Sequence, residues 1–299
     1  MIYPDFNALL EYRFAAKKLN YKQHQKVSAV GSGQYRSAIR GQGLEFEEVR
    51  EYVPGDDIRN IDWRVTARTD KPYLKLFREE KERNILICLD MNPYMRFGTK
   101  NTFKSVQAAN VAAMLAWSGH HNHDRVGGLL FGGVKPSFMH FAPKHQQRSL
   151  SMMLRAISDT ENYQMQNTVP LSKVITKLRS VAGHGTLVFL IADFFHLDEE
   201  AERALVALKK KCDLVLVPIS DPADAMLAPV GQLRCANDNK TMVINSNDQK
   251  IRDHYHTEWK NYERRLQELT HTQHLACYPI STKDDVVVKM QQMLGGWRK

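Results

Sequence analysis

Short apolar runs alternate with amphipathic segments from residue 84 onward. The runs at 85–89, 126–131, 187–191 and 214–219 have the length and continuous hydrophobicity of strands that are buried on both faces. Between them, apolar residues recur at spacings of three and four, as they do over 150–157, which predicts helices. Alternation of this kind predicts an α/β fold, in which helices cover both faces of a mostly parallel sheet.

The rest of this half of the chain extends the same architecture. The segment 103–117 is almost wholly apolar, which predicts a helix buried on more than one side. A long helix with one apolar stripe is predicted over 251–269, followed by a last strand at 275–280 and a helix at 286–294. We therefore assign residues 83–299 to one domain.

Residues 1–82 have a different pattern. An amphipathic opening helix contains Phe6, Leu10 and Phe14, and a turn-rich, highly charged segment follows it. Short strand-like pieces, such as 73–77, lie between the turns. We assign 1–82 to a small β-rich N-terminal module that packs on the α/β domain.

Composition narrows the class of protein. The formal net charge is +9, but acidic and basic residues alternate over 45–83 and form no block of one sign, so a solvated surface is favoured over a nucleic-acid arm. There is no apolar stretch long enough for a transmembrane helix, and the N-terminus lacks the pattern of a signal peptide. The four cysteines include no CxxC pair. We expect a cytoplasmic protein with reduced thiols.

Two of the predicted strands deliver a carboxylate to the same edge of the sheet. Asp90 directly follows the run 85–89, and Asp193 closely follows the run 187–191. In open parallel sheets, ligands bind beyond the carboxyl ends of the strands. If the two strands are neighbours, the carboxylates repel each other unless a cation, a proton or a hydrogen-bond donor compensates. A hard ion such as Mg²⁺ suits these oxygen ligands.

The segment that begins at Asp90 resembles the first loop of von Willebrand factor A domains. Their metal-ion-dependent adhesion site reads Asp-x-Ser-x-Ser, with a Thr and an Asp from later loops. Asn92 and Tyr94 stand at the two serine positions, while Thr168 and Asp193 match the later residues. The resemblance implies a von Willebrand factor A-like (Rossmann-like) fold and a partial Mg²⁺ site formed by Asp90, Asn92, Thr168 and Asp193. The alternative is that the two aspartates hydrogen-bond loop amides and cap the sheet edge.

A second resemblance lies in the N-terminal module. The run GLEFEEVREYVPGDDIRNIDW at 43–63 resembles the signature of the family named domain of unknown function 58, and the resemblance covers residues 28–225. Proteins of that family carry a von Willebrand factor A-like domain and are commonly encoded beside AAA+ ATPases of the MoxR type. The resemblance implies a role as partner or adaptor of such an ATPase.

The charged residues of this signature have two interpretations. Arginine is suited to bidentate pairing with carboxylates, so the arginines and acids can form an ion-pair lattice that holds the module against the sheet domain. Alternatively, some of them form a partner-binding surface, because Trp and Arg are common interface anchors. The candidates for this surface are Arg50, Arg59, Asp62, Trp63 and Arg68. Trp63 can instead belong to the core.

The sequence contains no P-loop, no GxSxG motif and no Cys/His nucleophile pattern. We therefore expect a non-catalytic protein-interaction module. One alternative is a metal-dependent hydrolase in which Asp90 and Asp193 hold the ion, although the sequence indicates no residue that would act as its general base. The other alternative is a nucleic-acid-binding protein, whose affinity would fall steeply with salt.

Overall fold

The chain is divided into two compact units. The computed structural model describes residues 2–19, 44–53, 58, 61–69, 71–79, 82–163, 168–195, 197–237 and 240–295. The small unit is Ser28–Glu82, and the sheet unit combines Met1–Val27 with Arg83–Lys299.

The described elements follow the predicted alternation of strands and helices. The strands are β1 (Leu44–Glu51), β2 (Tyr73–Glu79), β3 (Asn84–Met91), β4 (Arg125–Gly132), β5 (Phe138–Lys144), β6 (Leu187–Ala192), β7 (Asp213–Ser220), β8 (Gln232–Asn237), β9 (Lys240–Asn245), β10 (Ala276–Cys277) and β11 (Ile280–Ser281). The helices are α1 (Phe6–Ala16), α2 (Trp63–Thr69), α3 (Lys104–His121), α4 (Gln147–Ser158), α5 (Leu171–Val181), α6 (Glu199–Lys209), α7 (Pro222–Ala225), α8 (Gln249–Thr272) and α9 (Val286–Gly295).

The central sheet is mostly parallel. Its order is β10-β7-β6-β3-β4-β5, and β11 also pairs with β7. All these pairings are parallel except that of the edge strand β5, which runs antiparallel to β4. The chain builds outward from β3 to β5 on one side and then from β6 to β10 on the other, so the order of the strands reverses between β3 and β6. The predicted fold class, a helix-flanked sheet like that of von Willebrand factor A domains, is confirmed.

The central strand β3 divides its side chains between two cores, because successive residues of a strand point to opposite faces. Ile85, Ile87 and Leu89 join a cluster with residues of α1, α3, α4 and α9. Leu86 and Cys88 join a second cluster with residues of α5, α6 and α8. Burial on both faces explains why this strand reads as a continuous apolar run rather than an alternating one.

Helix α1 belongs to the sheet unit, so the predicted module of residues 1–82 is wrong at its N-terminal end. Its residues Leu9 and Ala16 are buried in the same core as α3. The indole N–H of Trp117, on α3, donates to the carbonyl of Leu9 at 3.0 Å, and the hydroxyl of Ser118 donates to the carbonyl of Leu19 at 3.2 Å. The physical reason is that α3 is buried along most of its length, and α1 packs against it in the same core.

The small unit contains the antiparallel pair β1 and β2, with a register shift between Phe46 and Glu48. Helix α2 lies between these strands in sequence, and Ile61 forms an isolated bridge with Leu74 of β2. In the sheet unit, β8 and β9 form a separate antiparallel pair that the sequence pattern did not predict. Among the described helices, none combines the length and the hydrophobicity needed to cross a bilayer.

Candidate functional site

The candidate site is the rim of the sheet, which we define as residues 90–104, 193–195 and 221–224. These residues form or directly follow the carboxyl ends of β3, β6 and β7. Strands β3 and β6 are parallel neighbours, with Leu89 opposite Ile191. Asp90, near the end of β3, and Asp193, directly after β6, therefore lie at the ends of adjacent strands where the strand order reverses, which was the condition for the two carboxylates to approach each other.

Asp90 is buried and hydrogen-bonded on both carboxylate oxygens. The backbone N–H of Asn92 donates to Oδ1 at 2.9 Å, and the hydroxyl of Tyr94 donates to Oδ2 at 2.9 Å. The 3₁₀ turn at Pro93–Met95 returns Tyr94 over the carboxylate. Burial raises the pKa of Asp90 to about 7, although these two hydrogen bonds oppose the rise. Burial, followed by the charge of Asp90, also raises the pKa of Tyr94, which keeps its hydroxyl a donor.

The side chain of Asn92 connects the rim to the segment before α5. Its Oδ1 accepts from the N–H of Val169 at 2.8 Å, and its Nδ2 donates to the carbonyl of Val169 at 3.2 Å. Nδ2 also donates to the hydroxyl of Tyr94 at 2.8 Å. The donor and acceptor of Val169 together fix the orientation of the amide. Thr168, the next residue towards the N-terminus, is exposed.

Lys104 places a positive charge between two carboxylates of the rim. Its residue surface is 3% exposed, and its ammonium lies 2.7 Å from Asp193 Oδ2 and 3.2 Å from Asp224 Oδ2. The same ammonium lies 5.5 Å from the centroid of the Phe97 ring. Burial lowers the pKa of Lys104, but Asp193 and then Asp224 outweigh it, so the net shift is upward. Lys104 is also the first residue of α3, where the helix dipole disfavours a cation. The two carboxylates therefore determine its charge and position.

The remaining rim carboxylate oxygens are also engaged. The N–H of Phe195 donates to Asp193 Oδ1 at 2.9 Å, and the N–H of Asp221 donates to Asp224 Oδ2 at 2.7 Å. Burial raises the pKa of Asp224, although Lys104 opposes the rise. At the rim as described, carboxylates are balanced by donors of the chain itself.

Asp221 joins three loops. It is 1% exposed and accepts from the N–H and hydroxyl of Thr99, at 2.9 and 2.5 Å, from the hydroxyl of Thr282 at 2.5 Å and from the N–H of Ala223 at 2.9 Å. Burial by itself raises the pKa of Asp221, but the hydrogen bonds from Thr282, Thr99 and Ala223 outweigh it and lower the pKa below the ordinary value. These bonds tie the start of α7 to the segments before α3 and after β11.

Three of the four residues of the predicted Mg²⁺ site use the oxygens that would face the ion for hydrogen bonds within the chain. Both oxygens of Asp90 and both oxygens of Asp193 accept hydrogen bonds, and Asn92 Oδ1 already accepts from Val169. Mg²⁺ requires near-octahedral coordination by oxygen atoms that are open to it. Over the parts of the chain that the structure describes, no group of three or more His, Cys, Asp or Glu residues is placed to hold a metal ion.

The predicted partner-binding residues lie in the small unit, with different environments. Asp62 caps α2, because its Oδ1 accepts from the N–H groups of Arg64 and Val65 at 3.0 and 3.2 Å. Arg50, on β1, is half-buried and donates to the carbonyl of Glu51 at 3.2 Å. Asp62 therefore has a structural role as the cap of α2, besides the role in partner binding that was predicted for it.

Trp63 and Arg68 lie on α2. Trp63 is 69% exposed, which contradicts the core interpretation of this residue, and Arg68 is exposed. Arg64 and Ala67 are exposed on the same helix. We call the surface formed by Trp63, Arg64, Ala67 and Arg68 the α2 surface. Arg59, the fifth predicted residue, lies outside the described residues.

Comparison with known families identifies the chain. The model of the family described as Protein of unknown function DUF58 matches residues 48–265. This chain belongs to the DUF58 family. The DUF58 match begins in β1 and ends in α8, so it includes both the α2 surface and the rim carboxylates, and it confirms the predicted family.

Mycobacterial proteins are similar to this DUF58 chain over most of its length. Uncharacterized protein Mb1516 of Mycobacterium bovis is 28% identical over 219 residues, which cover 73% of this chain and 68% of the relative. An uncharacterized protein from each of two Mycobacterium tuberculosis strains gives the same values.

Among solved structures, an aerotolerance-related membrane protein of Bacteroides fragilis is 14% identical, with 72% of this chain and 99% of that chain covered and a TM-score of 0.47. The SpRpn10 VWA domain is 8% identical, with 70% and 94% covered and a TM-score of 0.40. No conclusion about function follows from similarities at this level.

Sequence reasoning missed the lysine of this DUF58 rim. Lys104 is the first residue of a long, largely apolar helix, and a charged residue at that position ordinarily lies in solvent. The available signal was that a lysine begins a helix predicted to be buried on more than one side. Its partners Asp193 and Asp224 are 89 and 120 residues away in sequence, so only the fold brings the three together.

Gly132 holds the Asn92 loop in place, and we expect Gly132→Ala to be destabilising. Gly132 has φ of +89°, and an added Cβ would lie 2.6 Å from both the backbone N and the Oδ1 of Asn92. The positive φ and the overpacking together should lower the free energy of unfolding by roughly 2 to 4 kcal/mol. Urea unfolding followed by circular dichroism measures this loss.

Gly183→Ala is the matched control, because an added Cβ there meets only Thr186 Oγ1, at 3.6 Å. Its stability should stay within about 0.5 kcal/mol of the parent. Equal stability of the two variants would contradict the close packing of Gly132 against Asn92.

Proposed function

We propose that this DUF58 chain is a non-catalytic protein-interaction module, and that its partner is an AAA+ ATPase of the MoxR type. The observation that carries the proposal is the α2 surface, where Trp63 is 69% exposed within the segment that resembles the family signature. A large aromatic side chain costs solvation free energy when exposed, and it is a frequent anchor of protein interfaces. The choice of ATPase rests on the family resemblance.

The organisation of α2 supports a binding role. Asp62 caps the helix, and the hydroxyl of Thr66 accepts from the N–H of Tyr73 on β2 at 3.0 Å. The helix is thus held on the small unit through its cap and its half-buried side, while Trp63 and Arg68 remain exposed. Arginine beside tryptophan favours a partner surface that combines an apolar pocket with carboxylates.

The rim supports a non-catalytic interpretation. The carboxylates of Asp90, Asp193 and Asp221 each accept hydrogen bonds on both oxygens. A general base needs an oxygen that is open to the proton it removes. The hydrolase alternative gains no support from this arrangement.

Capture of a purified MoxR-type ATPase from the same organism tests the proposal. We expect the immobilised chain to retain the ATPase, and Trp63→Ala to weaken retention by at least about tenfold, since hot-spot aromatics contribute 2 kcal/mol or more. The measurement is the dissociation constant from surface plasmon resonance, with and without ATP.

Phe14→Ala is the matched control, because Phe14 is 59% exposed on α1, in the sheet unit. It should bind the ATPase as the parent does, and both variants should keep the parental circular dichroism spectrum. Failure of the parent chain to bind the ATPase in any nucleotide state would reject the proposed partner. Binding that Trp63→Ala leaves unchanged would reject the α2 surface.

A further inference from the structure

We infer that the ammonium of Lys104 and the hydroxyl of Tyr94 replace a divalent cation at the rim, so that this sheet edge keeps its arrangement without bound metal. The inference concerns the sheet unit alone and does not depend on the proposed partner. It follows from the contacts of three carboxylates, Asp90, Asp193 and Asp224.

The ammonium of Lys104 balances the charges of Asp193 and Asp224. Carboxylates that leave neighbouring parallel strands repel each other unless a cation or a donor lies among them. Lys104 Nζ is within 2.7 Å of Asp193 and 3.2 Å of Asp224, and the side chain of Lys104 is 4% exposed. A buried ammonium between two carboxylates meets the electrostatic requirement that a metal would otherwise meet.

Hydrogen bonds occupy both carboxylate oxygens of Asp90. Its Oδ2 accepts from the Tyr94 hydroxyl at 2.9 Å, and that hydroxyl accepts in turn from Asn92 Nδ2 at 2.8 Å. A serine at position 94 would be too short to span this gap from the same backbone position. The tyrosine therefore fills the space above Asp90 and presents a proton to the carboxylate, where a metal would need an open oxygen.

The side-chain amide of Asn92 has a fixed orientation. Asn92, predicted to offer its carbonyl oxygen to a metal, is held instead by the backbone of Val169, which binds both the oxygen and the nitrogen of the amide. Entry of Mg²⁺ would have to break the bonds to Asp90, turn Asn92 and displace Lys104. Like-charge repulsion from the ammonium opposes that entry.

The test on the parent chain uses the ions alone. Isothermal titration with Mn²⁺ and with Mg²⁺ should give no binding heat beyond dilution, and EDTA should leave the melting temperature unchanged. A saturable one-to-one heat that Asp90→Asn abolishes would overturn the inference.

A gain-of-binding variant makes the test specific. Tyr94→Ser combined with Lys104→Ser removes the two groups that we place in the role of the cation, and it adds two small hydroxyls beside Asp90 and Asp193. We expect this variant to bind Mn²⁺, and Mn²⁺ at 100 times the dissociation constant to raise its melting temperature by about 5 °C or more. Adding Asp90→Ala should remove the shift.

Two further results keep the test decisive. Lys173→Met combined with Tyr94→Phe is the control, because Lys173 is exposed and phenylalanine retains the ring at position 94; it should gain no Mn²⁺ binding. If the double serine variant is unfolded in metal-free buffer, Mn²⁺ should restore its circular dichroism spectrum. A variant that neither binds Mn²⁺ nor is refolded by it would overturn the inference, whatever the outcome of the ATPase capture.

Discussion

Lys104→Met should lower the free energy of unfolding by about 3 to 5 kcal/mol, because it leaves two carboxylates without their buried cation. Methionine retains an unbranched apolar side chain of similar length, so the packing of the stem is largely kept. The side chains of Asp193 and Asp224 are 14% and 17% exposed, so water can solvate the unpaired carboxylates only in part. Urea unfolding at neutral pH, followed by circular dichroism, measures the loss.

Two variants separate charge from packing. Lys173→Met, at an exposed position of α5, should change stability by no more than about 0.5 kcal/mol. Adding Asp193→Asn and Asp224→Asn to Lys104→Met should recover part of the loss, because the repulsion between the unpaired carboxylates is removed. If Lys104→Met were as stable as the parent, the ammonium would not be what holds the rim.

The buried strands of the sheet could be predicted because burial on both faces leaves a signal in the local sequence. Strands such as β3 and β6 are covered on both faces, so their apolar runs are continuous and end at or near the carboxyl ends of the strands. The carboxylates that follow them, at Asp90 and Asp193, were therefore predictable from position alone. Their placement at one edge followed from the rule that parallel strands end at a common edge, whereas the adjacency of β3 and β6 is seen only in the structure.

The exposed strands were harder to predict. Strand β5 lies at the edge of the sheet, and its residues are half-buried or exposed in partial alternation. It also contains Pro143, which is tolerated only where a ladder hydrogen bond is not needed, as at an edge. Strands β8 and β9 pair with each other in a two-stranded sheet. Neither segment produces a continuous apolar signal, since neither is covered on both sides.

The contacts of individual polar groups could not be predicted from local pattern. The placement of α1 depends on α3, which is about 100 residues later in sequence and needs a cover on its outer side. The sequence placed Tyr94 only at a serine position of the adhesion motif, whereas in the structure its hydroxyl is a donor to Asp90. Sequence gives the residue types at an edge, but only three-dimensional distances decide which donor meets which acceptor.

Asp221→Asn should lower the free energy of unfolding by about 3 kcal/mol at neutral pH. The carboxylate accepts four hydrogen bonds, from Thr99, Ala223 and Thr282, and hydrogen bonds to a charged group each contribute about 1.5 to 3 kcal/mol. Asparagine keeps the shape but has one acceptor oxygen, and its NH₂ group would face donors. Asp253→Asn, at an exposed position of α8, is the control and should change stability by no more than about 0.5 kcal/mol.

The pH dependence of this loss gives a second, independent measurement. The pKa of Asp221 is lower in the folded chain than its ordinary value of about 3.9, because the hydrogen bonds outweigh burial. The carboxylate therefore contributes its full stabilisation above that ordinary pKa, and the contribution is lost as the pH falls through the lower, folded value. The difference in stability between the parent and Asp221→Asn should be constant from about pH 5 to pH 7 and should shrink below about pH 4. A difference that stayed unchanged down to pH 3 would mean that the variant acts through packing and not through the charged hydrogen bonds that join the three loops.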